Sequence, residues 1–382
     1  MNCQRLRSCP REGSGRPHSR AAGVDYEVLD AGKRQALARA LSTSPLLGAR
    51  GGLAIDASRG EPAFVFEFDG RTLAFVVEGL GTKAMIARAV LEQTGVNRFA
   101  DVAYDTVAAI ANDLCCVGAL PLVLNAYFAT GSSEWYADPG RQTGLLTGWR
   151  RGCTDAGAVW GGGESPSLAG LVAAEDIELA GSAVGLIPPG CAPLLGASLG
   201  PGDEIVIVAS SGLHTNGASL ARMVSSRLPA GYDTLLPSGR SFGEALLDPS
   251  LIYTRLVELS IERRLDVHYL SHITGHGLLK VMRPRRELTY RIDRLPEVPE
   301  VLSFLVEQTG MEPADAYSTL NMGCGFAVYC AAGAGGAVVD LAGELGLAAH
   351  LAGGVEPGPR RVVLAEIDVV LDGDSLDLGP RA

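Results

Sequence analysis

The chain has 382 residues, of which 47% are hydrophobic and 6% aromatic, with 49 glycines. That length calls for one large or two medium domains, and the apolar share suits a buried core in an α/β protein with many tight turns, which excludes a disordered or fibrous chain. A formal net charge of −11 argues against a nucleic-acid partner, and no apolar run reaches the roughly 18 residues of a membrane span.

Residues 1–22 stand apart. They carry Arg5, Arg7, Arg11, Arg16 and Arg20 against the single acid Glu12. With no apolar stretch for a secretory signal, they read as a disordered basic tail or as the product of a start placed too early. Folded sequence begins near Gly23. Strands are expected over 73–77, 122–129, 159–163 and 178–187, and helices over 105–117 and 142–156. The stretch 188–203 is rich in Pro and Gly and makes a domain junction. The domains are therefore set at 23–190 and 191–382. In the second half a strand over 204–209 leads into a glycine turn and a helix from about Asn216. Late strands are expected over 325–330 and 361–370. The 8 cysteines include no C-x-x-C pair and the 6 histidines no zinc spacing. Reduced, mostly buried thiols in a cytoplasmic setting follow.

Five clusters carry chemistry. The first is Glu78-Gly79-Leu80-Gly81-Thr82-Lys83, at the end of an apolar strand. Glycines let backbone N–H groups approach an anion, the ammonium is a point charge for phosphate, and the carboxylate suits a divalent metal. It is not a Walker A loop, and a turn followed by a surface lysine is the plainer alternative. The second is Asp105 with Asn112 and Asp113, in an otherwise apolar helix. Acids there are costly unless paired or bound to metal, so they read as Mg²⁺ ligands or as internal hydrogen-bonding groups. The third is Gly161-Gly162-Gly163-Glu164-Ser165, a close-approach loop or a flexible turn. The fourth, residues 210–217, holds His214 and Asn216 between a strand and a helix. It reads as an anion site or as an ordinary cap by Thr215 or Asn216. The fifth, residues 271–277, holds His272 and His276 among turn residues.

Taken in order, these stretches resemble the aminoimidazole ribonucleotide synthetase, or phosphoribosylformylglycinamidine cyclo-ligase, family. The carriers include Glu78 to Lys83, Ala111-Asn112-Asp113-Leu114, Gly162-Gly163-Glu164-Ser165, Ser210 to Gly217, His272-Ile273-Thr274-Gly275 and Asn321-Met322-Gly323-Cys324-Gly325. The resemblance spans about residues 22–329. It implies a two-domain α/β (α+β) fold: an N-terminal mixed sheet that joins a partner's sheet in a dimer barrel, and a C-terminal α/β sandwich. It also implies ATP and Mg²⁺ between the domains, and formylglycinamidine ribonucleotide as substrate of a homodimeric, ATP-dependent ligase of purine biosynthesis. Lys83, His214 and His272 are then the catalytic candidates. Gly79, Gly81, Thr82, Lys83, Asn112, Gly163, Glu164 and Asn216 would bind the nucleotide. Glu78, Asp105 and Asp113 would hold the metal. Three departures stand out. Glu78 replaces the family's Asp, which lengthens the side chain by one bond, about 1.5 Å. Ser167 falls where the family has a second acid, and His276 replaces a glycine. The rival readings are a paralogue that phosphorylates another small molecule, and a nucleotide-binding protein without catalysis.

Overall fold

The computed structural model of the chain describes Gly23 and residues 26–376; the expected basic tail, residues 1–22, lies outside the described residues apart from its boundary at Gly23. A first helix, α1 (Tyr26–Leu41), precedes a six-stranded sheet. Its strands are β1 (Gly52–Ile55), β2 (Phe64–Phe68), β3 (Arg71–Gly79), β4 (Leu120–Thr130), β5 (Val159–Glu164) and β6 (Ile177–Leu186), in the order β1-β2-β3-β6-β4-β5. Only β4 and β5 run parallel, so the sheet is mixed. It is open within the chain.

Alternation along the strands explains its two faces. Ala74 and Val76 are buried, whereas Phe75 and Val77, which alternate with them, are exposed. Three helices cover the inner face: α2 (Lys83–Thr94), α3 (Phe99–Cys115) and α4 (Pro139–Asp155). α4 is started by Asp138, whose carboxylate accepts from the backbone N–H groups of Gly140 and Arg141. It lies close against α3 because Gly148 has no side chain; a Cβ there would meet the Ala100 carbonyl at 1.9 Å. Phe128 and Trp149 meet edge to face, with centroids 5.1 Å apart, in the core between sheet and helices.

The second sheet has seven strands: β7 (Glu204–Ala209), β8 (Val267–His272), β9 (Leu288–Ile292), β10 (Cys324–Cys330), β11 (Ala349–Pro357), β12 (Arg361–Leu364) and β13 (Val369–Asp372). Their order is β13-β12-β9-β11-β7-β10-β8, antiparallel except between β12 and β9. The helices of this half include α5 (Ala218–Ser225), α6 (Thr254–Glu262), α7 (Glu300–Thr309) and α8 (Gly335–Glu344). The fold is thus α/β, with two mixed sheets in two domains. The strand expected over 361–370 is instead the hairpin β12–β13, turned at Asp368, which takes a left-handed φ of 52°. Asp tolerates that conformation better than the β-branched residues around it.

α3 is the element both halves share. It packs on β3, β4 and β6 on one side and meets α6 and β8 on the other. Its near-continuous apolar surface follows from this double burial. The six cysteines described are free thiols, five buried and Cys191 exposed. Among the described residues, no helix is long and apolar enough to cross a membrane.

Candidate functional site

A cleft of about 560 Å³ opens where the end of β3, helix α3 and the turn after β8 converge. Glu78, Gly79 and Gly81 line it from the first half, with Asp113 from α3. Thr215, Asn216, His272, Gly275, Lys280 and Arg283 line it from the second half, and Lys33 from α1. The first glycine loop turns there because Gly81 takes φ 68°, and Leu80 N–H donates to the Leu179 carbonyl at 2.7 Å.

At its centre three groups form a chain. Asp113 Oδ1 lies 2.7 Å from His272 Nδ1, and Glu78 lies against Asp113. Burial, then the neighbouring Asp113 charge and hydrogen bond, push the Glu78 carboxyl up to about 8. Burial alone would also raise Asp113. The hydrogen bond and charge of His272 outweigh it and hold Asp113 below the ordinary carboxylate range. With Nδ1 turned to Asp113, His272 presents Nε2 as its remaining ring nitrogen. Burial and the Arg283 charge bring Lys280 down to about 8, against the pull of Asp113 and Glu78.

A second set of predicted residues assembles elsewhere. Lys83 Nζ lies 2.5 Å from Asp105 Oδ2, and both side chains are wholly buried. Lys83 also donates to the His214 carbonyl at 2.7 Å. The other Asp105 oxygen accepts the Ser250 N–H at 2.7 Å. Two turns further along the same face, Asn112 accepts the Tyr253 N–H at 2.8 Å and donates to the Leu251 carbonyl at 2.9 Å. These contacts pin α3 to the loop 250–253 of the second half. Asp105 and Asn112 therefore act in the described structure as the internal hydrogen-bonding groups that were the alternative to metal ligands. The expected trio of Glu78, Asp105 and Asp113 is not brought together, and among the described residues no three His, Cys, Asp or Glu side chains group around one metal position.

His214 is a buried strut. It takes a left-handed φ of 56°, and its Nε2 accepts from the Ser211 N–H at 3.1 Å. Burial, then the His272 and Lys83 charges, hold it neutral, well below the ordinary histidine range. Asn321 fixes the same turn: it donates to the carbonyls of Gly212 and Leu213 and accepts from Ser210 Oγ. Neither Thr215 nor Asn216 caps the next helix, because α5 starts after Gly217 at φ 104°. Thr82 Oγ1 meets Ser219 Oγ at 3.1 Å. Gly163 and Glu164 do not line this cleft. They belong to the edge strand β5, where a Cβ on Gly163 would meet the Ala126 carbonyl at 2.0 Å, and Glu164 is exposed. His276 lies 3.0 Å from Asp30 of α1.

Sequence reasoning missed Lys280, Arg283, Glu61 and Lys33. Glu61 accepts from the Tyr269 hydroxyl at 2.7 Å, and burial raises its carboxyl. One signal was visible: Lys280 is a lone charge inside the apolar run Leu278-Leu279-Lys280-Val281-Met282.

Comparison with known proteins agrees with this layout. Residues 60–187 match the AIR synthase related protein, N-terminal domain, and residues 200–365 match its C-terminal domain. The phosphoribosylformylglycinamidine cyclo-ligase of Methanothermobacter thermautotrophicus is 34% identical over 285 residues, 74% of this chain and 79% of that protein. The enzyme of that name from Anaeromyxobacter sp. is 38% identical over 287 residues, again 74% and 79%. Among solved structures, hydrogenase maturation protein HypE in complex with ATP has a TM-score of 0.55 at 18% identity, over 78% of this chain and 84% of that one, which shows a shared fold. The chain belongs to the AIR synthase related family.

Proposed function

We propose that this chain is an ATP-dependent cyclo-ligase that closes the imidazole ring of formylglycinamidine ribonucleotide, the reaction its curated relatives are named for. In that reaction ATP gives its terminal phosphoryl group to the formyl amide oxygen. The amidine nitrogen then attacks the activated carbon, a C–N bond forms, the C–O bond breaks, and phosphate leaves with that oxygen. The products are aminoimidazole ribonucleotide, ADP and phosphate.

The observation that carries the reading is the Glu78–Asp113–His272 chain at the bottom of a cleft between the two halves. Two carboxylates held together in a buried place repel unless one keeps a proton or a cation joins them. That donor set, all oxygen, fits Mg²⁺. Glu78 and Asp113 would hold the ion, which when bound would neutralise charge on the phosphates. Gly79, Gly81 and Thr82 would offer backbone and hydroxyl donors to the triphosphate, with Asn216 facing them across the cleft. His272, anchored through Nδ1, would hold or move a proton at Nε2. Lys83, Asp105, Asn112 and His214 support this from below by fixing the loop, the helix and the 210–217 turn. Catalysis of this kind is positioning and charge stabilisation.

The exposed face of the first sheet supports a homodimer. Phe68, Phe75, Val77, Tyr127 and Val159 leave it apolar. A second copy laid on it would complete the barrel and give Gly163 and Glu164, on β5 at the sheet's end, a route to the partner's nucleotide. The domain boundary at 190/191 and a cytoplasmic setting belong to the same proposal. The test is product detection: purified protein with ATP, Mg²⁺ and formylglycinamidine ribonucleotide should yield aminoimidazole ribonucleotide by mass spectrometry. ATP consumed with another small molecule but not with this one would point to the paralogue reading instead.

A further inference from the structure

We infer that Lys280 binds a phosphate oxygen of the reactants in the cleft. The inference rests on the ligase reading and adds a residue which that reading does not contain.

Lys280 belongs to a short helical turn, Gly277–Met282, between the buried Leu279 and Val281. Its backbone is fixed: the carbonyl accepts from Ser271 Oγ at 2.9 Å and from the Arg283 N–H at 3.1 Å. The side chain lines the cleft and is only 9% exposed. Yet among the described residues its ammonium has no hydrogen-bond acceptor and no carboxylate at ion-pair distance; Glu78 and Asp113 act on it only through space. Lys83 is the internal contrast, since its buried ammonium touches Asp105 at 2.5 Å and a carbonyl at 2.7 Å. With its stem buried, the Lys280 ammonium opens only on the cleft and is short of acceptors there, which is costly. Had Lys280 served only to offset the two acids, contact with one of them would be the cheaper arrangement. Its position suits a ligand that brings its own anion between them.

The other two cations of the cleft are committed. Arg283 donates to the Gly60 carbonyl at 3.1 Å, and Lys33 lies 3.7 Å from Asp30 at the rim. Both proposed reactants carry phosphate, and a compact ammonium is a phosphate binder. The oxygen comes either from the terminal phosphate of the nucleotide or from the phosphate of the ribonucleotide.

Calorimetry on the full chain separates the two sources. Wild type, Lys280→Met, Lys280→Gln and Lys280→Arg are each titrated with Mg·ATP, with formylglycinamidine ribonucleotide and with its phosphate-free nucleoside; the two neutral variants guard against one that fails to fold. The expected result is a loss of about ten- to a hundredfold in affinity for one phosphate ligand in the neutral variants, with Lys280→Arg recovering most of it. Weakened Mg·ATP assigns the nucleotide phosphate. Weakened ribonucleotide, with no change for the nucleoside, assigns the substrate phosphate, and a purely structural role would not distinguish ribonucleotide from nucleoside. Equal affinities for both phosphate ligands in wild type and the neutral variants, or no binding of either by wild type, would overturn the inference. Binding is read without turnover, so a protein that binds these ligands through Lys280 but forms no product refutes the ligase reading alone.

Discussion

Two groups of polar residues on helix α3 look alike in sequence and differ in the fold. Asp105 and Asn112 lie two turns apart on one face, and every contact they make is to protein. Asp113, one residue after Asn112, is rotated about 100° round the helix and faces the cleft. The first pair is saturated by Lys83 and by the loop 250–253. The second centre keeps an acid pair that must hold a proton or a cation, and an ammonium without a contact partner. Saturated charges hold the two halves together; unsaturated ones are where a ligand is to be expected.

Breaking the saturated set should cost stability most. Lys83→Met leaves Asp105 buried without its counter-charge, and urea unfolding should show a loss of about 3–5 kcal/mol. A variant as stable as wild type would mean the ion pair is not what joins loop, helix and turn. Next in size is Glu78→Asp, which withdraws the carboxylate by one bond from a site adjusted to the longer side chain. Turnover should fall about a hundredfold with the melting temperature unchanged. A faster enzyme would instead mark Glu78 as a defect. Asn112→Ala strands the Tyr253 N–H and the Leu251 carbonyl, and should cost about 1–3 kcal/mol in the same unfolding experiment.

The remaining effect is in pH and is spread over several units. The Glu78 carboxyl stands at about 8 in the folded protein against 4.5 when free. The folded chain keeps a proton that the unfolded chain has given up. Its stabilising contribution is therefore full below 4.5 and is lost as pH rises through about 8. Asp113, shifted the other way, acts only below its ordinary range and leaves this window alone. Urea midpoints measured without divalent metal should decline across the window in wild type and less steeply in Glu78→Gln. Parallel slopes would show that Glu78 does not hold the proton.

Much of the strand layout was legible because the strands are apolar runs bounded by turn residues. Strand β7 was placed at its observed bounds, and β3, β4 and β6 within two residues of theirs. The hairpin at Asp368 was not, since one left-handed residue inside a β-rich run leaves little compositional trace. The site was legible as residues but not as geometry. Helical spacing put Asp105 with Asn112, yet it could not say that Lys83 and a loop some 140 positions away in the chain would saturate them. The glycines of 161–163 read as a ligand loop; the close approach of β4 requires Gly161 and Gly163, and a φ of 123° favours glycine at 162. Lys280 escaped because no motif surrounds it. A lone charge in an apolar run was its one trace in the sequence; its burial and its lack of a contact partner are properties of the folded chain.

The division between saturated and unsaturated charges is tested most directly at Asp113. ADP release is measured with Mg²⁺ and ATP, with and without formylglycinamidine ribonucleotide, for wild type and Asp113→Asn, alongside the urea midpoint of each. The account predicts that wild type releases ADP only when the ribonucleotide is present. It predicts that Asp113→Asn loses at least about tenfold of that rate, with an unfolding midpoint close to wild type. ADP release indifferent to the ribonucleotide, or an Asp113→Asn protein that turns over as fast as wild type, would contradict it.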